Sequence, residues 1–349
     1  MNRRQFNQSL MALAAVTGLS ALARTTNSWA DPQPVESLPR IGLVSVGGAD
    51  GNTVAAIAQG LPYATRTVAI DTDAFALMSS GANRKVLIGY GADRPQHPRQ
   101  VYEIARRQAE SIEAAIDGFD LLIVLAGMYG AAGKGIAPVL AEIAQRRDIG
   151  MVCVAIIPAP WQGVNANPRV REPISQIRHA GATVFPVNSA CMTPVHSDDD
   201  LSVAQTVRNL CTSIGNALNP GKFVCIDSDD LQLVLEPGGI AAMGFGSAAG
   251  GGRIESAVKE AIAHPLLGMG RLLSATGILI NVRGGTGLNI GKGYAALREI
   301  RGQLTRDPWM LYSVSIDESI GDKVIVSILA TVPEAAADIA AKYQQCELR

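Results

Sequence analysis

The sequence contains few aromatic residues and no excess of charge of either sign. Phe, Trp and Tyr make up 5% of the 349 residues, and the formal net charge is −1. Without a basic excess, nucleic acid is a poor candidate partner. The low aromatic content, together with 48% hydrophobic residues and 36 glycines, is typical of an α/β protein. A chain of this length is expected to form one or two domains.

Cysteine is also sparse, and its spacing excludes two kinds of site. The cysteines are Cys153, Cys191, Cys211, Cys225 and Cys346. Their odd number and the lack of a C-x-x-C pair fit neither a zinc site nor a disulfide framework. We therefore predict a chain that folds in a reducing compartment, and no side chain is predicted to be a metal ligand.

The first 30 residues have the layout of a signal peptide. Arg3 and Arg4 precede an apolar run over 10–23, and the small residues Ser28 and Ala30 mark a cleavage site. The arginine pair resembles a twin-arginine export signal, which carries folded cargo. We therefore expect an exported, periplasmic protein. The alternative is a protein anchored to the membrane by an uncleaved signal, although the apolar run is short for a bilayer span.

Apolar runs alternate with helical patterns over most of the remaining chain. Strand patterns such as RIGLVSVGG, TRTVAIDTD, DLLIVLAG and GMVCVAIIPAP are separated by amphipathic segments. This alternation predicts an α/β fold with a doubly wound, Rossmann-like parallel sheet. A long helix and then a smaller α+β domain are predicted after it. The predicted boundaries are a signal at 1–30, a linker at 31–39, an α/β domain at 40–200, a central helix at 201–220, an α+β domain at 221–333 and a tail at 334–349.

A glycine-rich segment, LAGMYGAAGKGIAP, follows the strand DLLIVLAG. Glycines after a buried strand let backbone N–H groups approach an anion, and the helix predicted over Ile136–Arg147 would add positive potential. The segment does not match the P-loop pattern, because Met128 replaces its first glycine and Gly135 its Ser or Thr. It also lacks the dinucleotide pattern G-x-G-x-x-G. The alternative is a glycine-rich turn without a ligand.

Several segments, taken in order, resemble the bacterial FtsZ family of the tubulin superfamily. They are SVGGADGNTV, the DTD after the second strand, AGMYGAAGKGIAPVLAEIA, the IDSDD after the long helix, and AAMGFGSAAG, AIAHPLL and GILINVRGG. The similarity runs from about Arg40 to Val332. It implies a nucleotide-binding GTPase domain at 40–200 and an FtsZ-like domain after the central helix. It also implies GTP or GDP, with Mg²⁺, as the cofactor.

The resemblance implies that two glycine loops bind the phosphates of GTP. The first loop comprises Gly47, Gly48, Ala49, Asp50, Gly51 and Asn52. The second comprises Gly127, Gly130, Ala131, Ala132, Gly133, Lys134 and Gly135. Ala132 and Lys134 replace hydroxyl residues of the family, and Asp50 replaces a glycine. Backbone contacts survive such changes, whereas hydroxyl contacts do not. Lys134 either adds a contact to phosphate or is a solvated lysine at a helix start.

The sugar and base contacts match the family less well. The residues at the matching positions are Asp71, Asp73, Gln162, Asn188 and Gln205. The two aspartates would also suit a dinucleotide fold. Gln162 replaces a glutamate, and Gln205 replaces the aspartate that reads guanine. An amide cannot accept two hydrogen bonds from guanine N1 and N2 as a carboxylate does, so the base preference stays open.

Catalysis in this family is shared between subunits, and the segment CIDSDD matches the loop that carries it. Asp227 and Asp230 keep the spacing of N-x-D-x-x-D, with Cys225 in place of the asparagine. The resemblance implies that this loop enters the next subunit's nucleotide site, so that chains assemble head to tail. Alternatively, the acidic residues only cap a helix. The family's long linker and partner-binding tail have no counterpart, so the usual tail partners are not expected.

Three functions fit the sequence. The first is a GTP-binding protein that forms head-to-tail filaments and hydrolyses GTP between subunits, in membrane remodelling or division. The second is an exported structural filament or scaffold with the same fold, a degenerate nucleotide site and no turnover. The third is a dinucleotide-dependent oxidoreductase, which leaves the second glycine loop unexplained. The sequence does not identify a membrane partner, which stays unknown.

Overall fold

The computed structural model describes most of the chain after residue 38. The described ranges are 39–47, 51–61, 65–89, 95, 97–157, 168–188, 203–218, 226–235, 238–285, 287–288, 290–304 and 307–332. Residues 38–349 form one compact unit. Among the described residues, no helix has the length and apolar character needed to cross a membrane.

Strands and helices alternate in the first part of the fold. The strands are β1 (Ile41–Val46), β2 (Arg66–Asp71), β3 (Arg84–Leu87), β4 (Leu121–Gly127), β5 (Gly150–Ile157) and β6 (Thr183–Asn188). The helices are α1 (Gly51–Gln59), α2 (Ala74–Ser79), α3 (Pro98–Arg107), α4 (Ala109–Ile116), α5 (Ala131–Arg146) and α6 (Pro168–His179). Strands β1 to β6 pair in parallel in the order β3-β2-β1-β4-β5-β6. Helices cover both faces of such a sheet, so β1 and β4 are buried along their whole length and consist of apolar runs.

A central helix and a smaller α+β region complete the fold. The further elements are α7 (Val203–Leu218), α8 (Ser228–Leu235), β7 (Ile240–Ala249), α9 (Arg253–Ala263), α10 (Gly268–Leu273), β8 (Gly277–Gly284), α11 (Ile290–Gln303), β9 (Trp309–Ile316) and β10 (Lys323–Val332). β10 lies antiparallel between β7 and β8, and β9 pairs in parallel with β8 at the edge. The parallel pair Val184 and Ile240 joins β6 to β7, giving one ten-stranded sheet. The predicted fold class is confirmed.

Helix α7 packs against both parts of this sheet. Its buried apolar side chains recur at helical spacing, at Val203, Val207, Leu210, Ile214 and Ala217. They share one hydrophobic cluster with strands of the parallel half and with β7, β8 and β10. The central helix is therefore a core element that ties the two parts of the fold together.

The segment expected to form one long helix before β4 forms two. α3 ends at Arg107 and α4 begins at Ala109, because Gln108 has φ −102° and ψ 20°. The Gln108 side chain accepts a hydrogen bond from the Gly89 amide at 2.7 Å. The break thus coincides with a contact to the loop after β3, which hydrophobic periodicity does not reveal.

The buried cysteines generate a testable prediction. Cys153 on β5 and Cys211 on α7 are buried thiols, and burial raises the pKa of each to about 12. Both thiols therefore stay protonated and unreactive near neutral pH. In a chain with Cys191, Cys225 and Cys346 replaced by Ser, we expect no reaction with DTNB in the native state and two reactive thiols in guanidinium. Rapid labelling of the native protein would contradict this.

Candidate functional site

Two helix N-termini meet at the carboxyl edge of the parallel sheet. β1 is followed by the first glycine loop and α1, and β4 is followed by the second loop and α5. Because β1 and β4 are adjacent and parallel, both loops emerge at the same edge. Helix N-termini carry unpaired amides and positive potential, so this edge is suited to an anion.

The two glycine loops touch through their backbones. Gly47 has a φ of +40°, a conformation that favours glycine, and its amide donates to Ile70 O at 3.1 Å. A Cβ on Gly47 would lie 2.3 Å from the Gly133 amide nitrogen, and a Cβ on Gly133 would lie 2.0 Å from Gly127 O. Side chains at either position are therefore incompatible with this packing.

Helix α5 begins at Ala131, earlier than the predicted Ile136, so Gly133, Lys134 and Gly135 are helical. A Cβ on Gly135 would lie 2.6 Å from Val101 Cβ on α3. Gly133 and Gly135 are thus required where α5 packs on the strand ends and on α3. Periodicity missed this start because glycines are poor helix formers, and only the packing on three neighbouring elements shows why they are there.

The open side of the second loop is at Gly130. This residue is the N-cap of α5, with φ −99°, and a Cβ there would meet no atom of the described residues within 4 Å. As glycine, it offers no side chain to cap the first-turn amides. The first turn of α5, at Ala131 and Ala132, is therefore the part of the loop suited to a phosphate.

Lys134 is buried, with 8% of its surface exposed. The hypothesis of a solvated lysine at a helix start is therefore wrong. Burial arises because the residue lies in the first turn of α5 between two glycines that pack against neighbouring elements.

Asp71 is the last residue of β2, and Asp73 follows it at the same edge of the sheet. Asp71 Oδ1 accepts hydrogen bonds from the Thr72 amide at 2.6 Å and the Asp73 amide at 3.1 Å. Asp73 caps α2 by accepting from the Phe75 amide at 2.9 Å and the Ala76 amide at 3.3 Å. Both carboxylates therefore shape the turn that leads into α2.

Sequence reasoning missed one residue beside the first loop, Ser80. A Cβ on Gly51 would lie 2.1 Å from its Oγ, and the same Oγ accepts from the Ala82 amide at 3.1 Å. Ser80 thereby links the start of α1 to the segment after α2. Its only signal in the sequence is a polar position after a short helix.

The structure describes only some of the other residues that were predicted to contact the ligand. Gln205, in the first turns of α7, donates to Asn209 Oδ1 at 3.1 Å and accepts from Arg208 at 3.4 Å. Asn188 is the last residue of β6, and Asn52 lies near the start of α1, but their side chains are outside the described part. The predicted residues that lie wholly outside it are Gly48, Ala49, Asp50 and Gln162.

Asp227 and Asp230 lie at the opposite edge of the sheet. Asp227 Oδ1 accepts from the Asp230 amide at 2.7 Å, so Asp227 caps α8. At the other end of α8, Leu235 O accepts a hydrogen bond from Thr183, the first residue of β6. The amino and carboxyl edges are separated by the length of a seven-residue strand such as β4, about 23 Å. The two carboxylates and the glycine loops of one chain do not form one site.

Metal ligands do not cluster at either edge within the described residues. No group of three or more His, Cys, Asp or Glu there is placed to hold a metal ion.

Comparison with protein families matches two family models to separate parts of this chain. Residues 40–192 match the GTPase domain of the tubulin/FtsZ family, and residues 239–333 match the C-terminal domain of the FtsZ family. The first match contains both glycine loops, and the second begins after α8.

Known proteins show the same relationship over most of their length. The chain is 27% identical to cell division protein FtsZ 1 of Methanocaldococcus jannaschii over 303 residues, which are 84% of this chain and 82% of the relative. It is 28% identical to FtsZ of Azotobacter vinelandii, over 87% of this chain and 80% of the relative.

Solved structures agree with this relationship. An empty FtsZ dimer from M. jannaschii has a TM-score of 0.71 at 25% identity, and the match covers 93% of this chain and 91% of the chain in that structure. A protofilament of CetZ2 from Haloferax volcanii with bound GTPγS shares the fold, with a TM-score of 0.69 at 19% identity. This match covers 88% of this chain and 98% of the CetZ2 chain. The chain belongs to the FtsZ/tubulin superfamily, with an FtsZ-like GTPase domain followed by an FtsZ-like C-terminal domain.

Proposed function

We propose that this protein binds GTP, assembles head to tail and hydrolyses GTP at the junction between subunits. The proposal rests on the separation of two groups of residues, called the two half-sites below. The glycine loops lie at the carboxyl edge, and Asp227 and Asp230, at the start of α8, lie at the amino edge. A contact between two different surfaces joins the opposite ends of two copies. When the copies do not close into a ring, the same contact repeats and forms a filament. Such a contact brings one copy's carboxylates to the next copy's glycine loops.

The described residues fit a bound triphosphate. The first-turn amides of α5 and the start of α1 supply N–H donors at one edge, and Gly130 leaves the approach open. GTP would supply the phosphoanhydride that is cleaved, and Mg²⁺ is expected with the nucleotide, as the family resemblance implies.

At the junction, Asp227 and Asp230 would orient and polarise the attacking water. The hydrogen bond between Asp227 Oδ1 and the Asp230 amide keeps the Asp227 carboxylate fixed at the start of α8. Capping and catalysis are compatible, because a carboxylate has several lone pairs to accept hydrogen bonds. A positioned carboxylate contributes about 10²–10⁴-fold to such a step.

The second candidate is a structural filament without turnover. It is favoured by the lost hydroxyls at Ala132 and Lys134 and by Gln205, whose amide is engaged with Arg208 and Asn209. The oxidoreductase hypothesis has less support. The order of β1 to β6 agrees with a dinucleotide fold, but the two family matches extend through the C-terminal domain.

Two glycines of the second loop form a matched pair for testing nucleotide binding. Gly130→Val adds a side chain on the open side, so we expect loss of bound GTP or GDP, with a loss of about 1 kcal/mol of stability because valine is a poorer helix cap than glycine. Gly133→Ala meets Gly127 O, so we expect a loss of about 1–3 kcal/mol of stability. Thermal unfolding followed by circular dichroism and anion-exchange analysis of acid-released nucleotide measure both effects. A wild-type protein that binds neither nucleotide at millimolar concentration would contradict the proposal.

Replacing the carboxylates tests where hydrolysis takes place. Asp227→Asn keeps a good helix cap, so stability should be unchanged while turnover falls by about 10²–10⁴-fold. Asp230→Ala should also keep nucleotide binding and assembly. Because each site needs two copies, wild-type phosphate release should rise more steeply than linearly with protein concentration.

Mixing variants provides the control for a shared site. Neither Asp230→Ala nor Gly130→Val should hydrolyse GTP alone. Their mixture should recover part of the activity, because one kind of junction keeps both halves intact. Hydrolysis that is proportional to protein concentration and insensitive to both aspartate substitutions would exclude the shared site.

We also propose that residues 1–30 direct export of the folded protein, as the Arg3–Arg4 pair and the apolar run suggest. GTP is scarce outside the cytoplasm, so nucleotide would be bound before export or be dispensable. Replacing both arginines with Lys should retain the protein in the cytoplasm, as measured by cell fractionation. Unchanged localisation would contradict a twin-arginine route, and a full-length membrane-bound form would indicate an uncleaved anchor.

A further inference from the structure

Helix α2 presents two large apolar side chains to solvent. Phe75 is 84% exposed and Met78 is 76% exposed, and no other large hydrophobic side chain among the described residues exceeds the 53% of Trp309. The two residues are three positions apart and so share one face of the helix. Leu77, on the inner side of α2, packs in a small buried cluster beneath it. The helix is therefore held to the sheet while its outer face is apolar.

This face lies at the side of the sheet. The cluster beneath α2 includes Ala69 of β2, and Leu87 of β3 packs against it. β3 is the end strand of the ten-stranded order. Asp73 precedes α2 at the carboxyl edge, whereas Lys85, near the start of β3, contacts the C-terminal end of α2. The helix thus runs along the side of the sheet, between its two edges.

The segment 74–89, which forms α2 and β3, contains cations and no carboxylate. Its charged residues are Arg84 and Lys85, both exposed. Arg84 donates to carbonyls at the end of α4, whereas Lys85 donates from Nζ to Met78 O at 3.2 Å. An ammonium has three donors, so this contact is compatible with a further bond to an anion. The Asp73 carboxylate accepts from first-turn amides of α2 and offsets the positive end of that helix.

We propose that Phe75, Met78 and Lys85, called the α2 face below, dock on a membrane surface that contains anionic phospholipid. The two apolar side chains would enter the boundary between headgroups and acyl chains, and the Lys85 ammonium would pair with lipid phosphates. Exposed apolar side chains with a cation beside them match both parts of such a surface. The contact requires neither nucleotide nor assembly, so it is independent of the function proposed above.

The small size of the α2 face favours a lipid surface over a protein partner. An aromatic side chain buries about 150–250 Å², whereas a stable protein interface buries about 800 Å² on each partner. Two side chains on a six-residue helix therefore fall short of a protein interface by themselves. Lipids rearrange around the side chains that enter them, so a lipid surface needs no matching shape.

A fluorophore on the α2 face tests the contact directly. In the chain with three cysteines replaced by Ser, introduced above, Met78→Cys supplies an exposed thiol while Cys153 and Cys211 stay buried. With nitrobenzoxadiazole on this thiol, we expect the emission to rise and shift to shorter wavelength when phosphatidylglycerol vesicles are added. Phosphatidylcholine vesicles should cause little change. Ser256→Cys, at an exposed position of α9, is the matched control and should not respond.

Substitutions measure what each part of the α2 face contributes to cosedimentation of the full chain with the same vesicles. We expect Phe75→Ser to weaken binding by about 10-fold and Lys85→Gln by about 5-fold. Phe75→Leu, which stays apolar, and Leu233→Ser, at a partly exposed apolar position of α8, should bind like wild type. An unchanged Tm shows that each variant folds.

The two readouts separate the α2 face from other contacts. If the chain cosediments with vesicles while the label at residue 78 does not respond and Phe75→Ser binds like wild type, the membrane contact lies elsewhere, as in residues 1–30, and the inference is wrong. Failure of wild type to bind phosphatidylglycerol vesicles, or equal binding to phosphatidylcholine, would also overturn it. If Phe75→Ser instead impairs assembly without vesicles, the face contacts another copy and the inference is wrong. None of these results decides whether the protein binds or hydrolyses GTP.

Discussion

The backbone contact between Gly47 and the first turn of α5 is the constraint on which the candidate site depends. The Gly133 amide and the Gly127 carbonyl occupy the space where side chains of Gly47 and Gly133 would lie. This contact joins the ends of β1 and β4 to the start of α5, so that two loops far apart in sequence form one surface. Any side chain there would push α5 away from the sheet and separate the amides that face the open side at Gly130.

The central helix α7 connects the part of the fold that holds the glycine loops to the C-terminal part. The buried stripe of α7 packs on the parallel half and on β7, β8 and β10 in a single cluster. α8 is the next helix along the chain and is held at the amino edge through Thr183 and Thr331. Packed elements therefore set the position of Asp227 relative to the glycine loops, and the two lie at opposite edges of the sheet.

Because the two half-sites of one chain lie apart, the proposed hydrolysis would require two copies. A single copy holds the candidate anion site and the pair Asp227 and Asp230 at opposite edges of the sheet. Hydrolysis, as proposed above, would then depend on the junction between two copies. Lys134 is buried in the first turn of α5, and its contact to phosphate stays a prediction.

The sequence by itself determined the fold class and the family, because buried parallel strands consist of apolar runs and the glycine and acidic segments occur in a specific order. Its assignment of the two glycine loops to the phosphates stays a prediction. It could not show that α5 begins at Ala131, that Gly133 and Gly135 serve packing, or that Lys134 is buried, since these depend on neighbours from β1, β4 and α3. Nor could it show that Asp73 and Asp227 are helix caps. Only the tertiary structure decided these points, and with them the placement of the two half-sites on opposite edges, because they depend on distances between segments far apart in the chain.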